Sequence, residues 1–393
     1  MLKEINALLP QIHIPSWIKR ALPVLGKASF GKLKADEWRN LFTIQLPLIL
    51  IPMWYGHDQV KSSLLKNFCH LVSLVNLALK RVMTSEIISS YRYHIREYLE
   101  SSFLLFEHCK PTCNHHMAIH LADCLEKAGP VRSWWSFPYE RMMGAILKAS
   151  HNNHMGEIEI TFMKSFCRAG NLAGILEDEK LPEALHPYIS RLKELYEPSP
   201  KLRRQVSNSK MQSLEPVVLK SLTKRLNKQR KDDCIWVMPE KWASMSKESS
   251  LGFSPVAAQG IFYNQVSHLN VNFSTFKASR KDSFIIFNSL QGETCFGRIH
   301  SIFTHRRSPE PNKSTKDTWL CVQAFRALSP TQYNPFSKVD APVQVELRLW
   351  EKPESVLVRL DEVVAHCAWM MYQAGSIHES LNVSTVALVS MER

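Results

Sequence analysis

The stretch "NHHMAIHLADCLEKAGPVRSWWSFPYERMMG", residues 114 to 144, sets two histidines four residues apart. Past a Gly-Pro stop and two tryptophans it adds an acid. On a helix, His116 and His120 fall one turn apart, so their rings can point the same way and share a divalent ion. Cys113 lies one turn before His116 on the same line, with Cys109 close behind, so "CKPTCNHHMAIH" holds the donor types of a zinc cluster. The same spacing also suits two satisfied, partly buried histidines, and spacing alone leaves both readings open. Glu140 in "FPYER" has two readings as well. Pro138 suits the first position of a helix, which puts this carboxylate in the first turn, beside free backbone N–H groups and the positive dipole end. Alternatively it holds a divalent ion that activates water or a DNA hydroxyl in phosphoryl transfer, which generally gathers two or more acids around paired metals.

The helix that carries the histidine pair opens near Asn114 and ends at Gly129-Pro130, and Met117, Leu121, Cys124, Leu125 and Ala128 read as its apolar stripe. Trp134 and Trp135 read as a hydrophobic bracket between two helices in preference to a base-stacking platform. Asn152 and Asn153, with Glu157 and Glu159, either add polar groups near the same mouth or form a loop and a helix start. From about residue 34 to 200 apolar positions recur at three and four, which predicts five to seven packed helices. After about residue 250 short β-branched and aromatic runs such as "CFGRIHSIFTHRR" and "TWLCVQAFRAL" alternate with Gly, Pro, Asn and Ser, as in a small antiparallel sheet or barrel. A final helix is expected near Leu360, in "LDEVVAHCAWMMYQ". The fold class is therefore α+β, with a helical region over 1–200, a basic linker over 201–249, and a β-rich, barrel-like domain with a C-terminal helix over 250–393. The most apolar run, "LFTIQLPLILIPMWYG", is interrupted by two prolines and falls short of the roughly 20 residues of a spanning helix, so it reads as core and not membrane.

Residues 201 to 231 carry ten Lys or Arg against one Glu. Such a run is either a solvated helix or linker, or a segment that touches phosphates through Arg203, Arg204, Lys220, Lys224, Arg225, Lys228, Arg230 and Lys231. The formal net charge of +13 and a pI near 9.3 favour a polyanionic partner, because phosphate backbones reward surface cations through counterion release. Nine cysteines form an odd set at irregular spacings with no CxxC, and the N-terminus lacks the layout of a secretory signal. Reduced thiols inside the cell follow from that pattern. With 393 residues, 45% of them hydrophobic, the chain can bury two or three cores, which excludes the disordered class.

Three segments in order, "KLKADEWRNLFTIQLPLILIP", "NHHMAIHLADCLEKAGPVRSWWSFPYERMMGAI" and "NNHMGEIEITFMKSFCRAGNL", carry a resemblance over roughly residues 10 to 175. This region resembles the C-terminal part of the large transposase of CACTA-type (En/Spm-like) DNA transposons, particularly fungal versions. "GRIHSIF", "PF" and "VVAHCAW" look like the β-rich tail such reading frames often carry. The resemblance implies an RNase H-like core in which three acids hold divalent metal for DNA strand cleavage and transfer. The catalytic subunit of the V(D)J recombinase, a distant relative, has two zinc-binding histidines followed by its last catalytic glutamate on a helix. By that similarity Glu140 is the third acid, and His116 and His120, with Cys113, are structural zinc ligands.

The family's first two catalytic aspartates and a zinc-completing Cys pair lie upstream of "KADEWRN", where this chain has about thirty residues and no Asp. Asp36 sits inside that motif and Asp58 after it, so neither takes those roles. One acid cannot arrange a two-metal centre. The resemblance thus implies a C-terminal piece of a transposase, located in the nucleus, incomplete as a catalyst and partnered by DNA at transposon ends. Mg2+ or Mn2+ would enter only with acids from an upstream transposase fragment, giving an active strand-transferase. The remaining alternative is a non-catalytic nuclear interaction module built on the β-rich half.

Overall fold

The computed structural model describes residues 1–19, 24–27, 32–108, 110–149, 154, 156–177, 182–186, 188–189, 191, 210–229, 234–246, 249–269, 271–310, 313–351 and 353–392. Arg203, Arg204, Arg230, Lys231, Cys109, Asn152 and Asn153 lie outside them. The fold is α+β, with helices and a large antiparallel sheet. The chain forms two compact units, Met1–Gly129 with Ser207–Arg393, and Pro130–Val206. The two boundaries fall at the Gly129-Pro130 helix stop and between Val206 and Ser207.

In the larger unit, α1 (Leu2–Leu8), α2 (Ala35–Asn40), α3 (Leu46–Trp54), α4 (Gln59–Ala78), α5 (Ser85–Leu105) and α6 (Cys113–Ala128) precede the sheet. The apolar run is α3, with Leu46 through Ile51 and Trp54 all buried. Pro47 has no N–H to give the preceding turn, and Leu41–Gln45 ahead of it winds as a π-helix. Asp58 caps α4 by accepting from the Lys61 backbone N–H at 2.9 Å, and Asp36 pairs with Arg39. These two acids therefore have local structural roles.

The strands are β1 (Lys210–Ser213), β2 (Ile235–Val237), β3 (Phe253–Pro255), β4 (Gln259–Tyr263), β5 (Gln265–His268), β6 (Val271–Ser274) and β7 (Phe284–Asn288). They continue with β8 (Thr294–Glu310), β9 (Lys313–Ala324), β10 (Val345–Leu349), β11 (Glu354–Arg359), β12 (Val363–Tyr372) and β13 (Thr385–Ser390). The main sheet runs β1-β4-β8-β7-β12-β13-β10, with β9 joining β8 to β11. Beyond β9 the chain returns to β10 through an Ala327–Arg348 bridge, and the Leu349 N–H donates to the Arg326 carbonyl at 2.9 Å. Strands β9, β8, β7, β12, β13 and β10 thereby close on themselves as a barrel.

Phe284, Ile286, Phe296, Cys367, Trp369, Val386 and Leu388 fill the inside of this barrel. On the outer face of β10, β12 and β13, Leu347, Met370, Ala387 and Val389 share one core with Ile5 and Leu9 of α1, Leu48 to Ile51 of α3, and Phe68 and Val72 of α4. Helices from the first third and strands from the last third are thus a single packed body. The expected C-terminal helix is corrected here: Leu360–Glu362 is one 3-10 turn, and "VVAHCAWMMY" is strand β12. Both faces of β12 are covered, one by barrel interior and one by helices, so its sequence lacks the alternation that marks a half-exposed strand.

The smaller unit holds α7 (Phe137–Ala149) and α8 (Ile158–Glu177), which pack against each other. In the larger unit, α9 (Pro216–Gln229) covers the sheet by burying Leu219, Leu222 and Leu226 against Phe303, Trp319 and Leu357. A short α10 (Pro239–Ala243) follows β2.

Candidate functional site

Thr112 and His115 start α6: the Thr112 backbone N–H donates to His115 Nδ1 at 3.1 Å, a histidine form of the reciprocal N-terminal cap. Gly129, at φ 73°, ends the helix, and its N–H donates to the Leu125 carbonyl at 3.1 Å. The packed face of α6 is Ala122 and Leu125, with Tyr91 of α5 donating its hydroxyl to the Ala118 carbonyl at 2.9 Å. Met117 and Cys124, expected on that face, are exposed. The stripe is rotated because α5 approaches α6 along the 118, 122, 125 line, leaving 113, 116, 117 and 120 toward solvent.

His116 and His120 do meet. Their Nε2 atoms stand 3.3 Å apart, with ring centroids at 4.8 Å and the rings edge to face. Two imidazole nitrogens bound to one zinc at about 2.0–2.1 Å and a tetrahedral angle would be about 3.3 Å apart. The opposite nitrogen of His120, Nδ1, faces Asp123 Oδ2 at 3.6 Å. Arg92 on α5 holds Asp123 at 2.9 Å and Glu126 at 2.7 Å. The Arg92 guanidinium, followed by His120, keeps the Asp123 carboxyl below the usual carboxylate range. A carboxylate behind one imidazole fixes which nitrogen faces outward, the support that metal-binding histidines commonly have. The pair therefore offers two donors with one of them oriented. Cys113 stands exposed at the first position of α6, and among the described residues no group of three or more His, Cys, Asp or Glu is arranged to hold a metal ion.

Glu140 belongs to the smaller unit. It lies in the first turn of α7, where Ser136 donates its hydroxyl to Oε1 at 2.8 Å and its backbone carbonyl accepts from the Glu140 N–H at 2.9 Å. The carboxylate thus sits at the positive end of the helix dipole, held by the Ser136 hydroxyl. Trp135 meets Phe137 edge to face at 5.0 Å and lies under the Arg132 guanidinium at 5.4 Å, so its ring is engaged within its own turn. Glu159 sits in the first turn of α8.

Of the basic run, Lys220, Lys224 and Lys228 are exposed on α9 at a spacing of four, opposite the buried Leu219, Leu222, Thr223 and Leu226. That spacing lines three ammonium groups along about 12 Å of helix. Arg225 points elsewhere: its guanidinium pairs with Glu362, whose Oε2 also accepts from the Arg359 N–H at 2.8 Å. Arg225 is thus a tie between α9 and the start of β12, and not a member of the exposed row.

Two arrangements were not anticipated from sequence. Asp123 could have been found from the His120-x-x-Asp123 spacing, which puts acid and imidazole on one helical face. His70 on α4 and His94 on α5 meet through their Nδ1 atoms at 2.9 Å, buried, with Glu97 at 4.0 Å from His70 Nε2. Burial, followed by the neighbouring His94, pulls the His70 pKa down to about 4, and burial lowers that of His94 as well. These residues lie on separate helices, and no local motif marks them. Among the described residues no helix is long and apolar enough to cross a membrane. No protein-family model, curated protein or solved structure gives a significant match to this chain.

Proposed function

We propose that this chain is a transposon-derived, DNA-binding protein of the nucleus, the C-terminal portion of a CACTA-type transposase that does not cut DNA by itself. The lysine row of α9 carries this reading. Lys220, Lys224 and Lys228 are exposed and evenly spaced, and the helix beneath them is anchored by three buried leucines. Such a row is a rigid comb of charge rather than a floppy tail, suited to successive phosphates without base readout. The net charge of +13 supports the same partner. A structural zinc would take two donors from His116 and His120 and the rest from elsewhere. Mg2+ or Mn2+ at Glu140 would need further acids from an upstream fragment.

The test is DNA binding by fluorescence anisotropy of a labelled duplex over a series of salt concentrations. The wild-type chain is expected to lose affinity linearly on logarithmic axes. The Lys220→Ala, Lys224→Ala, Lys228→Ala triple variant should flatten that slope by about 2 to 3, close to 0.9 for each lost phosphate contact. Wild-type binding that is absent, or that ignores salt, overturns the proposal.

A further inference from the structure

In the smaller unit, α8 is covered along one side, where Phe162, Ser165 and Leu172 are half-buried and Leu176 is buried. Down the opposite side run Ile160, Met163, Cys167, Gly170 and Gly174, all exposed. Ile160 and Met163 keep 54% and 55% of their surface open to solvent, and Phe166, beside the stripe, keeps 41%. The steps along this stripe are three, four, three and four residues, which are the a and d positions of a heptad. A Cβ built on Gly170 or Gly174 would meet nothing within 4 Å, so the second half of the stripe is open track. Glycines inside a helix weaken it in the lone chain; what they give in return is room for another backbone to come close. An apolar helix side of this extent, left uncovered in a unit of modest size, is an association surface.

We propose that a second copy of this chain covers the stripe, with the two α8 helices parallel about a two-fold axis. The charges beside the stripe choose this occupant. With Ile160 and Cys167 at a and Met163 at d, Glu159 falls at g and Lys164 at the following e. In a parallel pair the g residue of one helix meets the e residue five positions on in the other, so Glu159 faces the partner's Lys164, and the two-fold makes that contact twice. An antiparallel pair sets e against e, which turns Lys164 toward another Lys164 or toward Asn171 and leaves it without an acid. Glu159 and Lys164 are both exposed, and among the described residues neither has an ion-pair partner within its own chain. One surface thus supplies the apolar stripe, the open glycine track and both members of the charge pair, the self-complementarity that a two-fold contact requires. No residue of α9 takes part, so this surface stands independently of the DNA contact proposed there.

The test is sedimentation equilibrium of the full chain, stripped of nucleic acid, over a range of concentrations. The wild type should pass from monomer to dimer and no further. Met163→Glu places a charge in the seam and should weaken the dimer about tenfold or more with an unchanged circular dichroism spectrum. Glu159→Lys and Lys164→Glu should each weaken it about fivefold, and the two together should restore it to within about twofold of wild type, because the swapped pair is again opposite in sign. A thiol reagent gives a second reading. In dilute solution it reaches Cys167 as it reaches Cys113 and Cys124, and raising the chain concentration should slow the reaction at Cys167 alone. A wild type that stays monomeric throughout overturns the proposal and leaves the stripe to a different protein. A dimer that tolerates Met163→Glu, a double swap that does not restore association, or Cys167 reactivity that ignores concentration each overturns it as well.

Discussion

Acidification should weaken this fold through one identifiable pair. His70 and His94 face each other through Nδ1 at 2.9 Å across the α4–α5 seam, and a contact of that length requires one ring to donate and the other to accept. His70 is fully excluded from solvent and its Nε2 has no hydrogen-bond partner; Glu97 at 4.0 Å is the nearby acid, with Lys66 at 3.8 Å from that carboxylate competing for it. Charging both rings would set two donors against each other in a buried space. The folded-state pKa of His70 is pulled down to about 4 from an ordinary 6.5. Between these values the unfolded chain takes up a proton that the folded chain refuses. The stabilising difference is therefore fully present above pH 6.5 and is lost as pH falls toward 4. The interval corresponds to about 3 kcal/mol in a dry pocket, and to about 2 once water beside the half-exposed Lys66 and Glu97 is allowed for. Urea unfolding at pH 7.5, 6.0 and 4.5 measures it, comparing wild type with the His70→Gln, His94→Gln double variant. The wild-type advantage should shrink by about 2 kcal/mol across the series. An advantage that stays constant, or grows toward low pH, would refute the assignment, because every other titrating group is common to both proteins.

Three further outcomes follow from the packing. A Cβ at Gly297 would stand 2.5 Å from Val322 Cγ1 and 2.8 Å from the Gln323 carbonyl, so Gly297→Ala should destabilise the β8–β9 pairing by about 1–3 kcal/mol in urea unfolding. Cys113, Cys124 and Cys167 are exposed, whereas Cys69, Cys321 and Cys367 are buried with thiol pKa values pushed up by burial, to about 12 for Cys69. A thiol reagent should modify the first three in the native chain and the last three only after denaturation, as peptide mapping would show. Arg225→Ala should lower the melting temperature while leaving the salt slope of DNA binding unchanged, since its partner is Glu362; Lys224→Ala should do the reverse.

The legibility of the fold in the sequence tracks how many faces of each element are buried. Helices α4 to α6 have one buried face each, so apolar residues recur at three and four and the helices can be read from the sequence. "LFTIQLPLILIPMWYG" reads as core because a run so apolar and so short has no other favourable place, and the buried Leu46 to Ile51 agree. β12 fails for the opposite reason: Cys367, Trp369, Ala368 and Met370 are all buried, on alternating faces, and a continuous apolar run does not distinguish strand from helix. The seating of α1, α3 and α4 on β10, β12 and β13 joins residues some 300 positions apart, and the closure of the barrel through Ala327 and Arg348 joins strands that are not neighbours in the chain. No local pattern encodes such pairings, because they depend on which apolar surfaces remain uncovered after the local elements have formed.

The candidate sites divide along the same line. His116 and His120 are neighbours because one helical turn separates them, and a four-residue spacing states that directly. Arg225 sits in the same basic run as Lys224, yet one step around α9 turns it inward to Glu362. Composition counts both as phosphate contacts, whereas the helical period set by Leu219, Leu222 and Leu226 separates them. The stripe on α6 shows the complementary error: Met117 and Leu121 with Cys124 and Leu125 made a plausible apolar face, but the helix turns Ala122 and Leu125 inward because small Ala122 permits close approach of α5. That rotation carries His116 and His120 out to solvent, where a metal or a partner can reach them, and brings Asp123 under Arg92. A buried histidine pair exists in this protein, but it is His70 with His94, and the solvent-facing pair is the one left accessible for chemistry.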